Sequence, residues 1–162
     1  MPFVGRPFCS RCEAPTALEV YSCDECRRRD FGFDGARAPL RYEGVGKELV
    51  HTLKYKGYAR DVQKRGFQNQ AGLMAEGVAE RIGAPTSDKL KAVRRTRDQV
   101  ELSAEARMGN VVGAYASRVP VVGRILIVDD VFTTGATLGL CAKTIRKAGA
   151  REVHALTLCR TV

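Results

Sequence analysis

No stretch of this chain is apolar for long enough to cross a membrane. The best run, 119–128, is broken by Pro120 and Arg124 and falls far short of the about 20 apolar residues a spanning helix needs. Met1-Pro2-Phe3 opens no secretory leader, because neither a basic stretch nor an apolar core follows. The expectation is a cytoplasmic protein without membrane insertion. Histidine is scarce: His51 and His154 are the two present, and neither stands beside a Ser, a Cys or an acidic pair. Both read as structural, which removes the usual general base of nucleophilic hydrolysis. Internal repeats and low-complexity linkers are absent, excluding a solenoid. Two common phosphate patterns also fail. Gly44-Val45-Gly46-Lys47 has Glu48 where a Walker loop needs Ser or Thr, and Arg41 where its first Gly belongs. Gly44-x-Gly46 lacks the third Gly of a dinucleotide fingerprint, so both glycines read as helix-entry residues.

What is present suits one compact domain with a small appendage. The chain has 162 residues, 44% of them apolar and 28% charged, enough for a buried core and too apolar for disorder. Its 27 Lys and Arg against 18 Asp and Glu give a net charge of +9. Residues 1–41 contribute +1, 42–118 contribute +5 and 119–162 contribute +3. The middle therefore favours a polyanion, either a phosphorylated small molecule or a nucleic acid, although a solvated basic surface accounts for the same excess.

Four of the six cysteines form Cys9-x-x-Cys12 and Cys23-x-x-Cys26, while Cys141 and Cys159 stand alone. Two such knuckles a short loop apart offer four thiolates to one tetrahedral ion, the arrangement of structural Zn2+. A disulfide framework is the rival reading, and a reducing compartment disfavours it. Around the knuckles the large apolar residues are few (Phe3, Phe8, Leu18, Val20, Tyr21), so metal would supply much of the folding energy there. Cys141 and Cys159 read as small buried packing residues.

Periodicity predicts a strand over 38–42, a helix over 44–55 ending at Gly57, and a second amphipathic helix over 67–82 closed by Gly83-Ala84-Pro85. A strand over 90–93 follows, then a short helix over 103–112 capped by Ser103. The β-branched run 125–128 reads as a buried parallel strand. A helix over 136–148 with Gly149 as its C-terminal stop and a strand over 153–158 complete a βαβ unit.

The segment Ile125-Leu126-Ile127-Val128-Asp129-Asp130-Val131-Phe132-Thr133-Thr134-Gly135-Ala136-Thr137 concentrates the chemistry. In open α/β sheets ligands bind beyond the carboxyl ends of strands. Two adjacent carboxylates there are unfavourable unless something uses them, and a vicinal diol or Mg2+ is a suitable partner. The Thr-Thr-Gly-Ala-Thr loop that follows enters a helix, where hydroxyls and free N–H groups can hold a phosphate. An ordinary βα turn with capping threonines is the plainer alternative.

The same segment resembles the phosphoribosyl pyrophosphate (PRPP) signature of type I phosphoribosyltransferases. The wider pattern is similar to the ComF family of competence proteins, which is amidophosphoribosyltransferase-like. That likeness is carried by the two knuckles, Leu40-Arg41-Tyr42-Glu43-Gly44, Leu53-Lys54-Tyr55-Lys56-Gly57, Lys64-Arg65-Gly66-Phe67, Thr96-x-x-Gln99-x-x-Leu102, Arg107-x-x-Asn110 and Leu156-Thr157-Leu158-Cys159-Arg160. It implies an α/β fold: a type I phosphoribosyltransferase-like parallel sheet flanked by helices, with an N-terminal zinc knuckle. The implied division is a knuckle over 1–36 and a phosphoribosyltransferase-like domain over 37–162. By the same resemblance Cys9, Cys12, Cys23 and Cys26 hold zinc. Asp129 and Asp130 bind the ribose hydroxyls, directly or through Mg2+, and are the catalytic pair. Thr133, Thr134, Gly135, Ala136 and Thr137 wrap the 5-phosphate of PRPP or ribose 5-phosphate. Arg65, Gln99 and Arg107 line or cover the site. The implied reaction displaces pyrophosphate from ribose C1 by positioning and charge stabilisation.

Two departures stand out. Thr133 occupies a position where some relatives carry an acidic base. Between the Lys-Tyr-Lys-Gly helix and the Arg-Gly-Phe segment, a helix and an inner strand of the usual pattern are missing, so the domain is shortened near 58–64 and the pyrophosphate half of the site is reduced. Gln68-Asn69-Gln70 also has one residue more than usual. Arg94-Arg95-x-Arg97 reads as a pyrophosphate or DNA contact or as a solvated loop. Tyr55 and Tyr58 with Lys54 and Lys56 read as base-stacking or as packing residues. Three functions compete: a PRPP-dependent transferase with an unknown acceptor, a non-catalytic DNA-uptake protein contacting single-stranded DNA or competence machinery proteins, and a PRPP sensor without turnover.

Overall fold

The structure is a computed structural model describing residues 3–55, 70–87, 90–92, 115–117 and 120–162. The expected helix over 103–112, the shortened stretch 58–64 and residues 67–69 of the second helix lie outside these residues.

Six strands and four helices are described: α1 (Asp24–Arg28), β1 (Gly35–Arg37), β2 (Leu40–Arg41), α2 (Gly44–Tyr55), α3 (Gln70–Ile82), β3 (Leu90–Ala92), β4 (Tyr115–Ser117), β5 (Arg124–Phe132), α4 (Ala136–Lys147) and β6 (Glu152–Arg160). The main sheet is parallel, with β6 at its centre, β5 along one side and β1 and β2 along the other. β3 and β4 form a separate antiparallel pair. No described helix is long and apolar enough to cross a membrane.

The strand expected over 38–42 is split in two. Gly35 faces His154 and Leu40 faces Cys159, so β1 and β2 keep one register along β6. The gap falls at Ala38-Pro39, where proline lacks the N–H a ladder requires. The Pro39 carbonyl instead accepts from Val4 N–H at 3.0 Å, and Phe3 bridges Leu40, which covers this sheet edge.

β5 runs further than its β-branched core. Pairing continues through Asp129↔Thr157 and Val131↔Cys159 to Phe132↔Arg160. The acid pair is therefore held in the last part of the ladder, on rigid backbone. The βαβ unit forms as the sequence predicts. α4 ends in a Schellman motif: Gly149 N–H donates to Arg146 O at 3.0 Å and Ala150 N–H to Ile145 O at 3.2 Å. Gly149 takes the left-handed φ of +112° this stop requires.

Leu138, Ala142 and Ile145 are buried at helical spacing on α4 and share a core cluster with Val153 and Ala155 of β6; Ile125 and Ile127 of β5 pack against it. Each large side chain there contributes about 1.5–3 kcal/mol by burial. Phe31, Phe33 and Phe132 extend this core as an aromatic trio, Phe31 stacked on Phe33 at 5.1 Å and Phe132 edge-on to both at 6.3 and 6.2 Å. Cys9, Cys12 and Cys26 belong to the same buried cluster. A smaller cluster joins Leu40, Val50 and Cys159 where α2 lies on β2 and β6; α3 lies against β5.

Gly44 opens α2 with φ +47°, and Gly46 sets how closely α2 approaches the sheet. A Cβ on Gly46 would stand 2.1 Å from Arg41 O and 3.1 Å from Cys159 Sγ. Gly46→Ala should cost about 2–3 kcal/mol, since backbone must yield to it. Urea unfolding checks this; an unchanged midpoint would show that α2 moves freely.

Candidate functional site

The knuckle cysteines converge. All six cysteines are free thiols, and the Sγ atoms of Cys9, Cys12, Cys23 and Cys26 lie within 4.8 Å of one another. Cys12 and Cys23 Sγ are 3.7 Å apart, close to the edge of about 3.8 Å that Zn–S bonds of about 2.3 Å give a tetrahedron. Cys23 N–H donates to Cys9 Sγ at 3.2 Å. Burial pushes the Cys9 thiol up, but the backbone N–H groups of Cys12, Cys23 and Arg11 outweigh it and bring it down to about 7. Burial pushes Cys26 well up. These four cysteines can hold a metal ion.

The second group lies at the carboxyl end of the parallel sheet. Asp130 N–H donates to Asp129 Oδ1 at 2.9 Å. Lys54, from the last turn of α2, reaches Asp130 Oδ2 at 2.7 Å. Burial alone would lower the Lys54 ammonium; the hydrogen bond and charge of Asp130, with Tyr42 and Asp129, hold it above its ordinary value. Lys54, which the sequence offers as part of a base-stacking or packing group with Tyr55, Tyr58 and Lys56, is thus the partner of Asp130. Its position in the Leu-Lys-Tyr-Lys run was visible, but its partner was not. Tyr55, by contrast, lies largely exposed, with its ring centre 4.6 Å from that of His51.

Asp129 is the strained member. Burial first, and then the Asp130 charge, raise its carboxyl from 3.8 to about 6, against the lowering effects of Asp130 N–H and Lys54. Between these values the folded protein keeps a proton that the unfolded chain has released. Stability from this group is therefore greatest below about pH 4 and falls as pH rises through about 6. Asp129→Asn should remove that slope and stabilise the metal-free protein at pH 7 by about 3 kcal/mol. Urea midpoints at pH 4.5 and 7 check this, and parallel profiles for both proteins would contradict it.

The loop after β5 meets the same edge. Thr133 and Thr134 are exposed and Thr137 is half-buried. Gly135 is the N-cap of α4 with φ +72° and supplies no side-chain cap. The Ala136 N–H is 3.4 Å from Thr134 Oγ1, a weak contact. A helix N-terminus of this kind presents N–H groups and a positive dipole to an anion. Asp129 and Asp130 thus lie in β5 just ahead of residues 133–137, and Lys54 contacts Asp130. Arg65, Gln99 and Arg107, and the Arg94-Arg95-x-Arg97 run, lie outside the described residues.

The two lone cysteines lie within reach of the acids' charge. Cys141 and Cys159 are buried; burial, then Asp129, push the Cys141 thiol up to about 12. His154 is exposed and sits 3.9 Å from Glu152. Arg160 is a residue the sequence reading did not single out. It is 6% exposed, hydrogen-bonds the Cys12 carbonyl and lies 4.9 Å over the Phe132 ring. It links the knuckle to the strand that carries the acids.

Comparison with known proteins gives consistent matches. The phosphoribosyl transferase domain family matches residues 66–161. The DNA utilization protein YhgH of Salmonella typhimurium is 38% identical over 156 residues, covering 91% of this chain and 68% of that protein. Competence protein F of Haemophilus influenzae is 34% identical over 102 residues, 60% of this chain and 44% of its own length. Competence protein ComFC of Streptococcus pneumoniae is 27% identical over 117 residues, 72% of this chain and 53% of its own. The chain thus spans about half the length of the last two. No solved structure matches. With a family match over more than half its length and the Salmonella typhimurium protein matched along 91% of it, the chain belongs to the phosphoribosyl transferase domain family, as a ComF-like member.

Proposed function

We propose that the chain binds the ribose 5-phosphate part of PRPP at the end of β5 and transfers it to an acceptor in DNA uptake or use. The observation that carries this reading is the conjunction of Asp129 and Asp130 with the uncapped N-terminus of α4. The acids suit ribose hydroxyls and the loop suits a phosphate; one ligand satisfies both. The role in DNA handling rests on the names of the relatives, which are competence and DNA utilization proteins.

In this reading Asp129 and Asp130 accept hydrogen bonds from the ribose hydroxyls and fix the ring. N–H groups and hydroxyls of residues 133–137 hold the 5-phosphate. That anchors both ends of the sugar, so C1 is presented for displacement of pyrophosphate by positioning. The two carboxylates are hard oxygen donors that fit Mg2+, which would neutralise charge on the leaving pyrophosphate. Cys9, Cys12, Cys23 and Cys26 would hold one structural Zn2+, closed to substrate. Binding without turnover is the second reading, favoured by the short connection over 58–63, which leaves less chain for the pyrophosphate half of the site.

Calorimetric titration with ribose 5-phosphate and PRPP, each with Mg2+, tests both. Both should bind, Asp130→Asn should weaken ribose 5-phosphate at least about tenfold, and PRPP should gain little over ribose 5-phosphate. Pyrophosphate release with candidate acceptors then separates transfer from sensing. If neither ligand binds, transfer and sensing fall together.

A further inference from the structure

The contact between Lys54 and Asp130 joins two elements that only the fold brings together. Lys54 closes α2, where the negative end of the helix dipole favours a cation, and its Nζ stands 2.7 Å from Asp130 Oδ2. Asp129, the preceding residue of β5, adds a second negative charge that also acts on the lysine. The lysine side chain is 39% exposed and the Asp130 side chain 19%. Asp130 is thus the fixed, shielded partner, and Lys54 is the one free to leave toward solvent.

We infer that Lys54 is a tethered cation that offsets the charge of Asp130 in the free protein and competes with divalent metal for it. This rests on the ribose 5-phosphate reading of the same site and assigns Lys54 there as a positioning residue. Two like carboxylates are costly to hold together without a counter-charge. The ammonium supplies that charge without a metal ion, and its side chain is open enough to solvent to swing aside. Once displaced, it remains at the rim, where an incoming phosphate group would meet it. The acids can then take sugar hydroxyls or a metal.

The test compares wild type, Lys54→Met and Lys54→Arg, each first shown folded by circular dichroism. Mn2+ alone, followed by electron paramagnetic resonance, reports metal affinity without sugar. Lys54→Met should bind Mn2+ about tenfold more tightly than wild type, and adding Asp130→Asn should abolish the gain. Lys54→Arg should stay near wild type. Ribose 5-phosphate without divalent metal should bind Lys54→Met about tenfold more weakly than wild type, with Mg2+ restoring most of the loss. Equal Mn2+ affinity in wild type and Lys54→Met overturns the inference, as does failure of Mn2+ to bind any of the three. If the Mn2+ affinities differ as expected but ribose 5-phosphate binds none of the proteins, the competition stands and the sugar reading fails.

Discussion

A Gly135→Val protein should lose ribose 5-phosphate binding by more than about a hundredfold and lose about 3–5 kcal/mol of stability. Two causes act at one atom. Gly135 has φ +72°, a region that a β-branched residue occupies only with strain. A Cβ there would also stand 2.8 Å from Phe31 Cε1 and 2.9 Å from Phe132 Cζ. Both rings belong to the buried aromatic trio and cannot yield without opening the core. The loop must therefore shift, and with it the N–H groups proposed to hold phosphate. Gly135→Ala should show the same pattern at smaller size. Asp130→Asn separates binding from folding, because it removes a ligand group and leaves the loop intact. Urea unfolding and calorimetry on the three variants check this. Wild-type phosphate affinity in Gly135→Val would contradict the placement of the ligand.

Cys12→Ser should reduce bound zinc from about one per chain to a small fraction and cost about 3–5 kcal/mol. Cys12 is 4% exposed and its Sγ lies 3.7 Å from that of Cys23, so its loss opens the centre of the proposed metal site. The effect should spread further. The Cys12 carbonyl accepts from Arg160, whose guanidinium covers Phe132, and Cys9, Cys12 and Cys26 share a cluster with Phe31 and Phe132. A four-thiolate zinc centre carries net negative charge, and the buried Arg160 cation lies beside it. Removing zinc with a chelator should therefore weaken ribose 5-phosphate binding, although the metal would not touch that ligand. Metal analysis, thermal unfolding and calorimetry on treated protein test this. Unchanged melting with no zinc bound would remove the structural role.

The βαβ unit was legible because its signals are local. The run 125–128 and the spacing of Leu138, Ala142 and Ile145 each mark one buried face. The acid pair and the glycine loop were legible because they adjoin that strand. Other features depend on tertiary pairing. Pro39 is visible in the sequence, but that it interrupts a strand while keeping register requires the β6 partner. The acids were expected beyond the strand and lie within it, because Val131 and Phe132 keep pairing with β6. The knuckle reads as poor in core residues, yet three of its cysteines enter the main core beside Phe31 and Phe33. Lys54 and Arg160 lie in motifs noted from the sequence, but each acts through a partner distant in the chain.

The central claim is that a sugar phosphate sits on Asp129, Asp130 and the start of α4. Amide proton–nitrogen correlation spectra recorded during titration with ribose 5-phosphate test it most directly. The amides of Thr133, Thr134, Gly135, Ala136 and Thr137 should shift together with those of Asp129 and Asp130, saturating at one ligand per chain. Shifts confined to basic surface residues far from β5, or no shifts at all, would contradict it.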